Sequence, residues 1–226
     1  MIEIGGFTPL STSDWPGRLC AVVFLRGCPW RCGYCHNPEL QVRTGCSDIG
    51  WPSVRQTLQR RVGLLDGVVF SGGEPTLDPE LPAALHEVRA VGFETGLHSA
   101  GIYPARLGAL LPMLDWVGLD VKTHAAGYDQ LTDRRGSGRA AWRALDTVLA
   151  SGIAHELRTT YHPALIDDEA LMDTAWALRA AGAQRWVLQR LRGVDGAANA
   201  RWPDDWTWPE PLLDEVRTLG LELTLR

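Results

Sequence analysis

Seven short runs of β-branched, aromatic and small residues recur along the chain, at 20–26, 67–71, 93–98, 116–122, 155–161, 185–191 and 221–225. Amphipathic, helix-like stretches separate them. This alternation is the strongest constraint on the fold, because strands joined through helices lie parallel and cross over with one hand. Two architectures satisfy it, an α/β barrel or an open α/β sheet. Six or seven strands in 226 residues fall short of an eight-fold barrel of ~250 residues. The expected fold is therefore α/β, a partial (βα)6-type barrel of parallel strands, in a single domain over 1–226. Pro52, Pro79, Pro104 and Pro209 stand near helix starts, where a missing N–H costs least. Gly92, Gly152, Gly182 and Gly220 follow four helical runs, as left-handed caps do. Asp167, Asp168 and Glu169 put negative charge on the first turn of a helix ending near Ala181.

In either architecture reactive groups gather at the carboxyl ends of strands. Three segments meet that rule. The first, Cys28-Pro-Trp-Arg-Cys32-Gly-Tyr-Cys35-His36, follows directly on the first strong strand and forms a loop over 28–36. Thiolates are soft ligands for zinc or iron–sulfur centres. A structural zinc site needs four ligands, and His36, Cys20 or Cys46 would have to supply the fourth. Three cysteines on one loop suit instead a cubane cluster with three irons held and one open to a small molecule. The second segment, Ser71-Gly72-Gly73-Glu74-Pro75, ends a strand. Its paired glycines admit close approach to the backbone, and Glu74 offers a carboxylate to an ammonium group; the bland alternative is a simple strand-to-helix turn. The third, Gly118-Leu-Asp120-Val-Lys122, sets a carboxylate and an amine at another strand end. That pair suits ribose hydroxyls and a carboxylate, or else forms a surface ion pair.

Composition narrows the partners. With 22 Lys and Arg against 27 Asp and Glu the formal charge is −5; no basic block tracks a phosphate backbone, so nucleic acid is not the expected partner. No apolar run reaches the ~18–20 residues of a membrane span, and the first residues lack the pattern of a signal peptide. Five cysteines, an odd number with three inside eight residues, read as a metal site in a reducing cytoplasm rather than a disulfide framework. Cys20, inside an apolar run, reads as a small buried hydrophobe.

Taken together, the residues resemble the radical S-adenosylmethionine (SAM) superfamily, through C-x3-C-x2-C with an aromatic before the last cysteine and Gly-Gly-Glu-Pro at a later strand end. Asp14-Trp-Pro-Gly-Arg18 and Cys35-His-Asn-Pro-Glu-Leu40 resemble segments of glycyl-radical-enzyme activases. Glu156-Leu-Arg158-Thr-Thr and Val187-Leu-Gln189-Arg look most like activating proteins of anaerobic ribonucleoside-triphosphate reductases. The resemblance covers roughly residues 5–192. It implies that Cys28, Cys32 and Cys35 bind a [4Fe–4S] cluster whose open iron chelates the amino and carboxylate groups of SAM. Tyr34 and His36 would lie along the adenine, and Gly72, Gly73 and Glu74 would meet the methionyl ammonium. Asp120 and Lys122 would sit near the ribose and carboxylate, with Arg158 adding a contact to the methionyl part. His98 stands where some activases carry a carboxylate that helps bind a monovalent cation; the plain alternative is a packed, hydrogen-bonded histidine.

The implied activity is reductive cleavage of SAM to a 5′-deoxyadenosyl radical that installs a glycyl radical on a partner, anaerobic ribonucleotide reductase first among candidates. A one-electron donor such as flavodoxin or ferredoxin is implied too. No catalytic residue is expected beyond the cluster and SAM ligands. Two alternatives remain: a radical SAM enzyme acting on a small molecule, and a zinc-stabilised binding module. Outside the site, Trp30 reads as a shield over the cluster. The Trp-rich segment 201–226 reads as intrachain packing, with partner docking as the alternative, and 134–139 as a solvated, mobile loop, with binding of an anion or an acidic partner surface as the alternative. His124 and His162 are distant candidates for the site, whereas His86 and His155 read as ordinary.

Overall fold

The computed structural model describes residues 2–43, 49–191 and 205–226. Among these residues eight strands form one sheet in the order of the sequence: β1 (Ile4–Ser11), β2 (Cys20–Leu25), β3 (Gly67–Gly72), β4 (Glu94–Ser99), β5 (Trp116–Asp120), β6 (Ala154–Tyr161), β7 (Arg185–Arg190) and β8 (Glu222–Leu225). All neighbours from β2 to β8 pair in parallel, and β1 alone runs antiparallel to β2. Seven strands match the expected runs within a few residues. The eighth, β1, was not expected from the sequence. Gly5, Gly6 and Pro9 depress its β signal, and an edge strand with pairing irregularities at Ile4/Gly6 and Thr8/Ser11 tolerates them.

Helices α1 (Trp51–Gln59), α2 (Leu81–Ala90), α3 (Pro104–Leu110), α4 (Tyr128–Thr132), α5 (Ser137–Ser151), α6 (Asp168–Ala180) and α7 (Glu210–Thr218) fall in the connections. Pro52 and Pro104 occupy first-turn positions, whereas Pro79 precedes α2 and Pro209 is the N-cap of α7. Gly92, Gly152, Gly182 and Gly220 all adopt positive φ after their helices. The Asp167 carboxylate caps α6 by accepting from the Ala170 N–H at 2.8 Å.

Alternation along each strand divides the molecule into two interiors. Val68, Phe70, Leu97, Val117, Leu119, Leu157 and Tyr161 face the helices and form the main core. Their neighbours in sequence face the concave side. There Cys20, Val22, Val69 and Trp116 gather around Trp15, from the β1–β2 connection, as a second apolar cluster. Cys20 is fully buried in it. Trp15 stacks on Trp116 with ring centroids 5.5 Å apart. Gly67 and Gly96 make room for the indole, since a Cβ on either would lie within 3.0 Å of it. The connection thus plugs the concave side, and a polar layer built from strand ends lies beyond it.

Candidate functional site

A cavity of about 440 Å³ opens at the carboxyl ends of the strands. It is lined by Cys28, Cys32, Tyr34, Cys35 and His36 from the loop after β2, by Gly72 and Gly73 at the end of β3, and by Asp120, Lys122 and Arg158 from β5 and β6. Ten of the eleven side chains or glycines expected from the sequence therefore share one space. The exception is Glu74.

The cysteine loop is held by backbone bonds. Cys28 N–H donates to Gln41 O at 3.0 Å, Arg31 N–H to Thr132 O at 2.8 Å, and Cys35 N–H to Cys32 O at 3.1 Å. The Arg31 guanidinium donates to the Cys28 and Trp30 carbonyls, tightening the turn from the outside. Trp30 is buried against Tyr128 and packs beside Cys28 and Cys32. Burial pushes the Cys28 thiol up to about 12 and raises Cys32 in the same direction, so ligation there releases protons. No disulfide ties Cys28, Cys32 or Cys35. Among the described residues, no three His, Cys, Asp or Glu side chains gather closely enough to hold a single ion. Tetrahedral zinc with Zn–S near 2.3 Å requires sulfurs roughly 3.8 Å apart. Three soft donors spread along one cavity wall fit a polynuclear cluster instead. Cys46 lies outside the described residues.

At the end of β3 the glycines serve the chain itself. A Cβ on Gly72, at φ 120°, would sit 2.3 Å from the backbone N and O of Leu25, and one on Gly73 would sit 2.4 Å from Gly27 O. Gly73 N–H donates to Leu25 O and Glu74 N–H to Gly27 O, at 2.9 and 2.8 Å. The turn is thereby pressed against the root of the cysteine loop. Glu74 stands behind the cavity wall. It is 1% exposed; its Oε1 accepts from Thr76 N–H, Thr76 O–H and Ser99 O–H, and its Oε2 from Ala100 N–H, at 2.6–3.2 Å. Burial raises the carboxyl while these four donors pull it back. The buried carboxylate thereby ties the ends of β3 and β4 together, next to Ser99 and Ala100 on the cavity wall.

Asp120 and Arg158 stand side by side in the β5–β6 register. Asp120 Oδ1 accepts from Arg158 Nε at 3.2 Å and from an Nη at 2.8 Å, a pair on the cavity wall in which the arginine side chain is 10% exposed and the aspartate 40%. Burial alone would raise the Asp120 carboxyl; the Arg158 guanidinium and Lys122 override it and hold it below the ordinary range. Gly118 clears the shelf on which the guanidinium lies, since a Cβ there would approach it within 2.9 Å. Burial disfavours the Lys122 charge, yet Tyr34, Cys32 and Asp120 around it keep the ammonium well above the ordinary lysine range. Its Nζ lies 5.3 Å from the Tyr34 ring centroid.

His98 also lines the cavity, packed and bonded at both nitrogens. Nε2 lies 2.7 Å from Asp14 O, a group that only accepts, so Nε2 carries the proton and Nδ1 accepts from Ser71 O–H at 3.2 Å. Burial and then the Arg158 charge push its pKa down to about 3. A neutral, fully engaged imidazole beside a guanidinium is a packed histidine.

Sequence reasoning gave no site role to Asp14, Ser99, Thr160, Gln189, Arg190 and Arg226, which also line the wall. The strand-end rule applied to β7 and β8 would have reached the last three. His124 and His162 do not line the cavity: His124 meets Thr123, while His162 is buried, accepts from Ala164 N–H and packs on Trp206. Trp206 and Trp208 pack on Tyr161 within the chain; Trp202 lies outside the described residues. The 134–139 stretch is a pinned turn rather than a mobile loop, because Gly136 and Ser137 N–H groups donate to the Asp129 carboxylate at 2.9 and 3.0 Å.

Comparison with known proteins adds to this geometry. A family model described as the radical SAM superfamily matches residues 22–175. A Methanocaldococcus jannaschii protein named as a glycyl-radical enzyme activating enzyme is 28% identical over 229 residues, 96% of this chain and 90% of the relative. The pyruvate formate-lyase-activating enzyme of Clostridium pasteurianum is 33% identical over 140 residues, 59% of this chain and 58% of its own length. Among solved structures, Streptococcus suis SuiB bound to S-adenosylmethionine superposes with a TM-score of 0.68 at 14% identity, over 88% of this chain and 48% of SuiB. A domain of the pyruvate-formate lyase-activating enzyme of Bacteroides vulgatus gives 0.56 at 16% identity, over 71% of this chain and 98% of that domain. Both show the same fold. Among the described residues, no helix is long and apolar enough to cross a membrane.

Proposed function

This chain belongs to the radical SAM superfamily, and on that premise we propose that it activates a glycyl-radical enzyme, with anaerobic ribonucleotide reductase as the partner. Its cofactors are a [4Fe–4S] cluster and SAM. One observation carries the reading: three cysteines, two glycines, an aspartate–arginine pair and a lysine, scattered over 130 residues of sequence, meet on one cavity at the strand ends. The activase names of the relatives support the reaction class. The stretches 156–160 and 187–190, similar to activating proteins of anaerobic ribonucleotide reductases, support the partner.

Hydrogen abstraction from a backbone glycine is beyond side-chain acids and bases and needs a cofactor. When bound, the reduced cluster supplies the electron that cleaves SAM to methionine and a 5′-deoxyadenosyl radical. The chain's own part is positioning and exclusion of water. Cys28, Cys32 and Cys35 would hold the cluster, and Trp30 closes the loop from behind. The rigid Gly72–Gly73 turn offers backbone groups to the methionyl ammonium, with Glu74 locking the turn from inside. Arg158 and Lys122 counter the carboxylate of SAM, while Asp120, kept ionised by both, accepts from the ribose hydroxyls. Tyr34 and His36 flank the adenine. Such oxygen-sensitive chemistry suits a reducing cytoplasm.

Anaerobic reconstitution, chemical reduction and chromatographic assay for 5′-deoxyadenosine test the chemistry; a reduced cluster that leaves SAM intact sinks it. Electron paramagnetic resonance with an anaerobic reductase tests the partner. A glycyl radical doublet is expected, and SAM cleavage without that doublet rejects this partner.

A further inference from the structure

The chain carries five more acidic than basic residues, yet four exposed arginines are carried by the cysteine loop and by the turn and helix start that follow its docking point on α4. Arg31 lies in the loop itself, between Trp30 and Cys32. Its N–H bond to Thr132 O docks the loop on α4, and the next turn presents Arg134 and Arg135, followed by Arg139 in the first turn of α5. All four are exposed, none lines the cavity, and among the described residues none is paired with a carboxylate. Asp129 in the same turn is engaged by Gly136 and Ser137, leaving exposed Asp133 as the local counter-charge. Stability does not explain the set. A cation in the first turn of a helix faces the positive end of its dipole, so Arg139 sits where an acidic residue would serve the helix better.

We infer that this patch is the docking surface for an acidic one-electron carrier protein that reduces the cluster, an inference that rests on the function proposed above. In the step one electron leaves the carrier's reduced flavin or iron centre and enters the cluster, with no bond made or broken. Position separates this partner from the radical's target. The target glycine must reach the cavity, which these arginines do not line, whereas an electron needs only a short path through the wall. The patch offers that path, because Arg31 is one peptide bond from Cys32 and its guanidinium holds the Cys28 carbonyl. Redox encounters bury small interfaces and rely on charge for rate. A positive patch on an otherwise negative molecule also orients an acidic carrier, which the rest of the surface repels.

The test compares the loaded wild-type protein with a triple variant, Arg134→Glu, Arg135→Glu and Arg139→Glu, and with its Gln counterpart, using reduced flavodoxin as probe. Stopped-flow absorbance gives the rate of cluster reduction, and calorimetry gives binding of oxidised flavodoxin. At about 50 mM salt the Glu variant is expected to slow second-order reduction at least ~10-fold, within the range of electrostatic steering. The Gln variant should fall between, and the gap should close near 0.5 M salt as charges are screened. Reduction by dithionite should be equal in all three proteins. Unchanged flavodoxin rates and binding in the Glu variant overturn the assignment. So does a loss of binding to the anaerobic reductase with flavodoxin binding intact. A cluster that dithionite reduces without SAM cleavage in any of the three proteins overturns the proposed function, and this inference with it.

Discussion

A carboxylate has about four lone-pair positions, and Glu74 takes four donors from within the protein, three on Oε1 and one on Oε2. Its bonds join the Gly72–Gly73 turn to Ser99 and Ala100, so the residue acts on the site through the backbone it holds. Glu74→Gln keeps the shape but replaces one acceptor oxygen with an NH2 that opposes either Ala100 N–H or the Thr76 and Ser99 donors. Leaving such a buried donor unsatisfied costs about 1–3 kcal/mol. For a chain of this length each kcal/mol shifts the melting temperature by roughly 2–4 °C. The expected outcome is a melting point lower by roughly 2–10 °C in anaerobic calorimetry. A tenfold loss of SAM affinity at unchanged melting temperature would show direct contact with the ammonium. The cysteine spacing, the paired glycines and the Asp120/Lys122 strand end were legible as chemistry, because each places distinctive groups in a short stretch. Which way Glu74 points was not. That depends on Ser99 and Ala100, contributed by another strand.

At the scale of elements, the parallel strands were legible since β2 to β5 are buried along most of their length and all are bounded by turn residues. The plug was not. Residues 12–19 have no period, and the role of Trp15 exists only where Gly67, Gly96 and Trp116 from three strands meet it. The same plug carries Asp14, whose carbonyl accepts from His98, so it sets the floor of the cavity as well as filling the concave core. Trp15→Ala removes the centre of that cluster and leaves a space that glycine-bearing strands cannot refill with side chains. Truncation of a buried tryptophan costs about 3–5 kcal/mol. Urea unfolding should show that loss, and a change below ~1 kcal/mol would mean that the connection only covers the barrel without supporting it.

For the whole molecule the open arrangement matters most. Among the described residues, a sheet ordered β1 to β8 by sequence, with the first pair antiparallel, leaves β1 and β8 as edges and the barrel unclosed. This accords with the expected partial barrel and suits a target that must enter as a segment of protein. An open edge also frays, and the last strand is bound at few points: β8 spans four residues and pairs with β7 alone. Arg226 supplies the missing restraint. Its guanidinium reaches past β7 to grip Glu156 on β6 in a two-point contact at 2.9 and 2.7 Å, and Glu156 is 12% exposed. Its backbone N–H donates to Leu188 O and its carbonyl accepts from Arg190 N–H, which extends the ladder to the end of β7. Arg226→Ala leaves the half-sequestered Glu156 carboxylate unpaired, and hydrogen bonds to charged groups contribute about 1.5–3 kcal/mol. If opening of β8 is a local event, that loss accelerates hydrogen exchange of its amides roughly 10–100-fold, at 1.4 kcal/mol per tenfold. Amides of β3, β4 and β5 should keep their protection. Equal loss across all strands would show that β8 unfolds only with the whole sheet, and the open side would then be a rigid doorway rather than a movable one.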